Sequence, residues 1–181
     1  MKFTRRQPGV PGERPAWRTG VRAAGNRGRG RAPVPRDLPE DFTDAAPVLA
    51  LGGELKSAIC LTTGRKALLS HHLGDLDEPG TQDEFERAIA DYAALFDHRP
   101  AAIAVDLHPD YRASRLGAAF ANERGLPLVA VQHHHAHIAA VMAEHGRRRA
   151  DGPVIGIALD GLGLGEDETI WGAEILVCDY T

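Results

Sequence analysis

From Pro47 onward, short apolar runs alternate with amphipathic stretches, and this alternation limits the folds open to the chain. The apolar runs have the length of β-strands, whereas the stretch 81–96 spaces its apolar residues three and four apart, as a helix does. We predict strands at 48–51, 57–62, 66–71, 101–107, 126–131, 154–159 and 169–178, and helices at 81–96, 110–123 and 133–145. Strands that alternate with helices are typical of a mixed α/β sheet. We therefore expect the order β-β-β-α-β-α-β-α, followed by a β-hairpin.

Local signals predict where these elements begin and end. Thr81 followed by Glu84 matches a capping box, so we expect the first helix to start there. Asp110 is expected to cap the second helix, and Gly146 to end the third. The glycine pair at 52–53 predicts a tight corner between the first two strands.

Charge is unevenly distributed along the chain. Residues 1–36 hold ten of the 21 Lys and Arg residues but only one of the 25 acids, Glu13. Residues 1–45 are also rich in Gly and Pro without a hydrophobic period, so we predict a disordered basic tail or linker, with an RNA-binding arm as the alternative. The remaining chain is acidic, and since phosphate contacts need basic residues, we expect no general nucleic-acid partner.

The apolar segments and cysteines narrow the class of protein further. No stretch approaches about 18 consecutive apolar residues, and no apolar signal-peptide core follows the basic N-terminus, so we expect no membrane partner. Cys60 and Cys178 are far apart in apolar runs, and no CxxC pair is present. We predict two reduced thiols in a cytoplasmic protein and no zinc finger.

Four of the five residues from 133 to 137 are histidines, and two of them are spaced to hold one metal ion. On a helix, His133 and His137 share a face with Cβ atoms roughly 6 Å apart, which is how one helix gives two imidazoles to a metal. His134 and His135 point elsewhere. A metalloprotease motif would need Glu at position 134, so that chemistry is not supported. Hydrogen-bonded structural histidines are the alternative interpretation.

A glycine-rich loop, DGLGLG, follows the strand predicted at 154–159. Gly161, Gly163 and Gly165 would let the backbone approach a ligand and turn its N–H groups toward phosphate oxygens. The spacing is neither a dinucleotide-binding fingerprint nor a P-loop. Asp160 stands at the strand end, where its carboxylate can reach a metal ion. The alternative is a glycine-rich hairpin turn with an ordinary Asp.

Three further polar residues are weaker candidates for the same site. Asp106 and His108 follow another predicted strand, and α/β proteins build sites at such strand ends. A strand-terminating turn explains both equally well. Lys56 follows the glycine corner and is a candidate phosphate contact, with a solvated lysine as the alternative.

These segments together resemble a known family. The stretch from Pro47 to Tyr180 is similar to the transferase domain of HypF-type carbamoyltransferases of NiFe-hydrogenase maturation. The resemblance is carried by LALGGELKSAICL (49–61), HLGDLD (72–77), DLHPDYRASR (106–115), VQHHHAHIAAVMAEHG (131–146) and IALDGLGLGEDETIWGAE (157–174). That domain is related to the tRNA threonylcarbamoyl transferases and shares the actin, sugar-kinase and Hsp70 (ASKHA) fold.

The resemblance implies a site and a reaction. A divalent metal, zinc or iron, would be held by His133, His137 and Asp160, and the loop glycines would lie where phosphate binds. The implied substrate is an ATP-derived carbamoyl-adenylate. Its carbamoyl group would pass to a C-terminal cysteine of a HypE-type partner, toward the cyanide ligands of the hydrogenase. The metal would anchor the adenylate and neutralise phosphate charge.

The resemblance covers only part of the family enzyme. We expect residues 46–150 to form a first transferase subdomain and residues 151–181 to begin a second, truncated one. The acylphosphatase-like, zinc-finger and adenylate-forming domains of the family are not recognisable, and Leu162, Leu164 and Glu168 are atypical loop residues. A standalone metal- or nucleotide-binding module and an inactive remnant are therefore alternatives. A half-built cleft should also leave an apolar face exposed.

Overall fold

The computed structural model describes residues 33–181, which contain a six-stranded mixed sheet. Its strands are β1 (Arg36–Asp37), β2 (Val48–Leu51), β3 (Ile59–Thr63), β4 (Lys66–Leu69), β5 (Ala102–Asp106) and β6 (Leu128–Val131), in the spatial order β1-β4-β3-β2-β5-β6. The pairs β2–β3 and β3–β4 are antiparallel, whereas β2–β5 and β5–β6 are parallel. The predicted mixed α/β sheet is thus confirmed.

Three helices follow the predicted order: α1 (Thr81–Leu95), α2 (Arg112–Arg124) and α3 (His133–Glu144). The capping box predicted at Thr81 and Glu84 is wrong, because Gly80 occupies the N-cap in a left-handed conformation (φ 83°) and no side chain caps the helix. Gly80 adopts this φ without the Cβ penalty of other residues, and as a glycine it has no side-chain oxygen with which to cap the helix.

The start of α2 also differs from the prediction. Tyr111 is the N-cap residue, and Asp110 pairs with Arg115 at 2.7 Å instead of capping the helix. The first helical N–H, that of Arg112, donates to the Glu54 carboxylate at 2.8 Å. Glu54 comes from the glycine corner after β2, so the partner of this helix end lies far away in sequence and no local pattern indicates it.

A smaller unit follows α3. It contains the antiparallel pair β7 (Val154–Ala158) and β10 (Glu174–Cys178), and a short antiparallel pair, β8 (Gly163–Leu164) and β9 (Ile170–Trp171). The single return strand predicted at 169–178 is therefore wrong. It is broken at 172–173, because residues 170–171 pair with the glycine loop whereas residues 174–178 pair with β7.

Two apolar cores hold these layers together. The larger lies between the six-stranded sheet and helices α1 and α2, and its most buried large side chains are Phe85, Ile59 and Ile103. Burying each of these side chains contributes about 1.5–3 kcal/mol. The smaller core joins α3 to β7 through Ile138, Met142 and Ala158. Helix α3 therefore packs on the β7–β10 pair, although the proposed division at residues 150 and 151 assigns it to the first subdomain; that division stays a prediction.

The structured region begins earlier than the sequence predicts. Strand β1 pairs with β4, residues 40–42 form a 3-10 turn, and the Phe42 ring meets Tyr180 edge-on with ring centroids 5.0 Å apart. These contacts fall within the predicted disordered tail, and they arise from tertiary partners that the Gly- and Pro-rich pattern does not reveal. Residues 1–32 of that predicted tail lie outside the described residues.

One face of the β7–β10 pair is apolar and exposed, and the sequence analysis expected an exposed apolar face. Its members are Ile155 (74% exposed), Ile157, Leu159, Ile175 and Val177. Within residues 33–181, no helix is long and apolar enough to cross a membrane.

Candidate metal centre and glycine loop

The ends of three strands bring the candidate ligands together. Strands β5 and β6 are parallel neighbours, so Asp106 at the end of β5 and the start of α3 after β6 lie at one edge of the sheet. Strand β7 delivers Asp160 to the same place. This edge, at the carboxyl ends of parallel strands, is where α/β proteins build sites.

The three predicted ligands, His133, His137 and Asp160, form one cluster with their ligand atoms within 4.8 Å of one another. His133 Nε2 lies 3.1 Å from Asp160 Oδ2 and 3.2 Å from His137 Nε2. The third side of the triangle, His137 Nε2 to Asp160 Oδ2, is 3.4 Å. Two ligands of a tetrahedral zinc ion, each bound at about 2.0 Å, are roughly 3.3 Å apart. The donor types and spacing therefore fit a divalent metal.

Asp106 fixes the orientation of the His133 ring. His133 Nδ1 donates to Asp106 Oδ2 at 2.6 Å, and the Asp106 side chain is only 7% exposed. The other carboxylate oxygen accepts the backbone N–H of His108 at 2.8 Å. Because Nδ1 is committed to Asp106, His133 presents Nε2 to the cluster, as metal-binding histidines held by a second carboxylate do. The sequence analysis named Asp106 as a weaker candidate for the site but did not predict that it orients the His133 ring.

The charges in the cluster shift two pKa values in opposite directions. The hydrogen bond that His133 donates to Asp106 raises the pKa of His133, partial burial opposes this rise, and the negative charges of Asp106 and Asp160 add to it. For Asp160, desolvation acts to raise the pKa, but the Gly161 N–H, the charge of His133 and further hydrogen bonds together lower it. The site therefore favours a positive charge between carboxylates, whether a proton or a metal ion carries it.

The structure places the other two histidines of the run outside the cluster. His134 Nδ1 lies 2.6 Å from the Glu174 carboxylate, and His135 Nε2 donates to the Asp179 carbonyl at 2.7 Å.

The three loop glycines have different surroundings. A Cβ at Gly163 would lie 2.7 Å from His134 Nε2, and one at Gly165 would lie 2.0 Å from the Trp171 ring. Both positions thus require glycine for internal packing. Gly161 faces open space, and its N–H donates to Asp160 Oδ1 at 2.7 Å. Phosphate binding by this loop stays a prediction.

The remaining candidates are Lys56 and His108. Lys56 is exposed in the turn after the glycine corner and makes no ion pair or hydrogen bond within residues 33–181. The His108 ring stacks on Tyr111 with centroids 4.3 Å apart and an interplanar angle of 4°. Burial raises the pKa of Tyr111, and the charges of Asp106, Glu54 and Asp160 raise it further, which places this phenol beside the carboxylates.

Sequence reasoning missed one charged group at this rim. Arg112 Nε donates to Asp77 at 2.9 Å and lies 3.7 Å from Glu54. Burial raises the pKa of Glu54, with the backbone N–H of Arg112 opposing. All three residues lie in segments that carry the family resemblance, and that resemblance was the only sequence signal that could have pointed to them.

Comparison with known proteins decides the family. Residues 43–144, more than half of the chain, match the family model described as the HypF Kae1-like domain. The chain belongs to this HypF family. Residues 156–181 also match a model described as the second subdomain of the carbamoyltransferase Kae1-like domain. The fold is accordingly Kae1-like, of the ASKHA type, as the sequence predicted.

HypF relatives share sequence with most of this chain, but the chain spans only a fraction of their length. Carbamoyltransferase HypF of Rhodobacter capsulatus is 56% identical over 154 residues, which is 85% of this chain and 21% of the relative. Carbamoyltransferase HypF2 of Cupriavidus necator is 51% identical over 132 residues, which is 73% of this chain and 16% of that relative.

Solved HypF structures share the fold. Full-length HypF in a phosphate- and nucleotide-bound form superposes with a TM-score of 0.73 at 43% identity, over 82% of this chain and 18% of that one. The HypF of T. kodakarensis gives a TM-score of 0.74 at 37% identity, and the match covers 85% of this chain and 19% of that protein.

Proposed function

We propose that this chain provides the metal centre of a carbamoyltransferase that acts in NiFe-hydrogenase maturation. The observation that carries the proposal is the convergence of His133, His137 and Asp160 in a chain of the HypF family. The proposed ligand is a divalent ion, zinc or iron, since imidazole and carboxylate donors suit both.

The residues of the cluster have separate tasks in this proposal. His133 and His137 would each offer Nε2 to the ion, and Asp106 would keep the proton of His133 on Nδ1. Asp160 supplies the third donor and a negative charge. When bound, the ion would offset the charge of a nucleotide phosphate as a leaving group departs.

The proposed substrate is carbamoyl-adenylate made from ATP, and the proposed acceptor is the C-terminal cysteine of a HypE-type partner in the cytoplasm. The cysteine sulfur attacks the carbamoyl carbon, the bond from that carbon to the phosphate oxygen breaks, and AMP leaves while the thiol proton passes to solvent. Gly161 faces open space, so a phosphate can approach its backbone, and to accept its N–H the phosphate would have to displace Asp160 Oδ1. Lys56, which is exposed, is the proposed cation for the departing phosphate.

The chain's own cysteines do not serve as the nucleophile in this proposal. Burial raises the pKa of Cys60 to about 11, and burial together with the charge of Asp179 raises that of Cys178. A thiol with a raised pKa supplies little thiolate at neutral pH, so an external cysteine is the better acceptor.

A complementation assay tests the proposal. A full-length HypF relative whose own metal-binding histidines are replaced generates labelled carbamoyl-adenylate in situ, and a HypE-type C-terminal peptide serves as acceptor. Wild-type chain should label the peptide, His137→Ala should not, and the exposed control His72→Ala should match wild type. Calorimetry with zinc and AMP follows in parallel.

The outcomes separate the three interpretations of the chain. Peptide labelling that depends on His137 supports the transferase. Binding of zinc and AMP without labelling would contradict it in favour of a standalone binding module. Absence of both would identify an inactive remnant.

A further inference from the structure

His134 differs from the histidines on either side of it. Its side chain is 0% exposed, whereas those of His133 and His137 are 22% and 59% exposed. It lies in the same helical turn as the two metal-ligand candidates but outside their cluster. Burying an imidazole costs free energy unless its nitrogens form hydrogen bonds, so the burial of His134 calls for a structural explanation.

The His134 ring connects helix α3 to β10 and to the glycine loop of the smaller unit. Nδ1 donates to Glu174 Oε2 at 2.6 Å, which ties α3 to the first residue of β10. The opposite side of the ring lies under Gly163, where an added Cβ would be 2.7 Å from Nε2, 2.9 Å from Cε1 and 3.1 Å from Cδ2. Within residues 33–181, Nε2 has no hydrogen-bond partner. The loop backbone therefore rests directly on the ring.

A second contact joins the same turn of α3 to the loop. Gln132 uses its side-chain oxygen to accept the N–H of His135 at 2.8 Å, which fixes the amide at the helix start. Its Nε2 then donates to the carbonyl of Leu164 at 3.4 Å. Gln132 and His134 thus both contact the loop that begins at Asp160, the third ligand candidate.

We propose that His134 is a positioning residue that fixes the loop 160–165, and with it Asp160, against helix α3. Glu174 holds the ring in place, and Gly163 is glycine because the ring occupies the space of a side chain. One helical turn thereby carries two donors and sets the position of the third. The consequence for metal binding rests on the proposed function, whereas the order of the loop does not.

A matched pair of loop substitutions tests this proposal in the metal-free chain. Gly163→Ala places a methyl group against His134, whereas Gly161→Ala meets nothing within 4 Å, and neither glycine has a positive φ. Hydrogen exchange of residues 160–165 reports the loop, and the amides of β5 report the fold. In a Trp17→Phe background, Trp171 is the remaining tryptophan, and its ring packs on Gly165, so its emission reports loop displacement.

Gly163→Ala should raise loop exchange by about tenfold and shift Trp171 emission, while Gly161→Ala stays within about twofold of wild type. Adding His134→Ala to Gly163→Ala should reverse part of the emission shift, because the methyl group then has space. His134→Leu should loosen the loop, and Glu174→Gln, which keeps an acceptor for Nδ1, should not. Equal effects of the two alanines, or strictly additive effects of His134→Ala and Gly163→Ala, would overturn the proposal.

A zinc titration separates this proposal from the proposed function. Gly163→Ala should weaken zinc binding by about tenfold through Asp160, and it should add nothing in an Asp160→Ala background. If the wild-type chain binds no zinc, the proposed function fails, and loop exchange alone decides the role of His134.

Discussion

Replacing Asp106 by Asn tests how the metal centre is oriented. The 2.6 Å bond from His133 Nδ1 leaves Nε2 facing Asp160 and His137. An Asn whose oxygen still accepts the His108 N–H turns its NH₂ group toward the Nδ1 proton, so the ring must move or shift its proton to Nε2. Both changes oppose metal binding.

The expected loss follows from the burial of this pair. Removing a carboxylate that orients a ligand histidine lowers metal affinity by about 10–100-fold, which corresponds to about 1.4–2.8 kcal/mol. Since the Asp106 side chain is only 7% exposed, water cannot readily replace it, and we expect the upper part of that range.

The assay is a zinc competition titration against a chromogenic chelator, with circular dichroism as a check of the fold. Asp110→Asn is the matched control, because that exposed carboxylate pairs with Arg115 and does not touch His133. Zinc affinity of Asp106→Asn within about twofold of wild type would refute the orienting role.

Three other predictions concern stability and association. Gly117→Ala should lower the free energy of unfolding by about 1–2 kcal/mol in urea, because its Cβ would lie 2.3 Å from Val105 Cγ1 and this overpacking exceeds the gain in helix propensity. In the presence of a metal chelator, the contribution of His133 to stability should be full below pH about 6.5 and lost as pH rises through its raised folded pKa, and Asp106→Asn should weaken this dependence because Asp106 is the largest cause of the rise. Ile175→Lys should reduce light scattering from aggregates while changing unfolding free energy by less than about 0.5 kcal/mol, since Ile175 is 74% exposed.

The order of strands and helices was predictable because it rests on periodicity, which is a property of each segment alone. The pairing of β2 with β3 and the apolar face of α1 follow from the same patterns. The starts of α1 and α3, at Thr81 and His133, agree with the prediction, but the capping of α1 was not predictable. Thr81 is followed by Glu84 as in a capping box, whereas Gly80 occupies the N-cap. At α2 the partner is Glu54, far away in sequence.

The candidate site was predictable to the extent that its spacing is local. His133 and His137 lie four apart on one helix, and Asp160 follows a strand that ends in glycines, so the sequence alone suggested all three. Their convergence within 4.8 Å depends on α3 packing against β7. For Asp106, the sequence predicted only a position at a strand end and not its hydrogen bond with His133. The sequence suggested phosphate binding as the reason for Gly163, whereas the structure shows that the buried His134 ring leaves no space for a side chain there.

The metal content of the purified chain tests the central claim most directly. Wild-type protein, exposed to zinc and iron and then freed of weakly bound ions, should retain about one metal ion per chain by elemental analysis. His137→Ala should retain little, and because that side chain is 59% exposed, its loss should leave the fold intact. The control double variant of the exposed residues His71 and His72 should bind as wild type does. Equal metal content in wild type and His137→Ala would contradict the account.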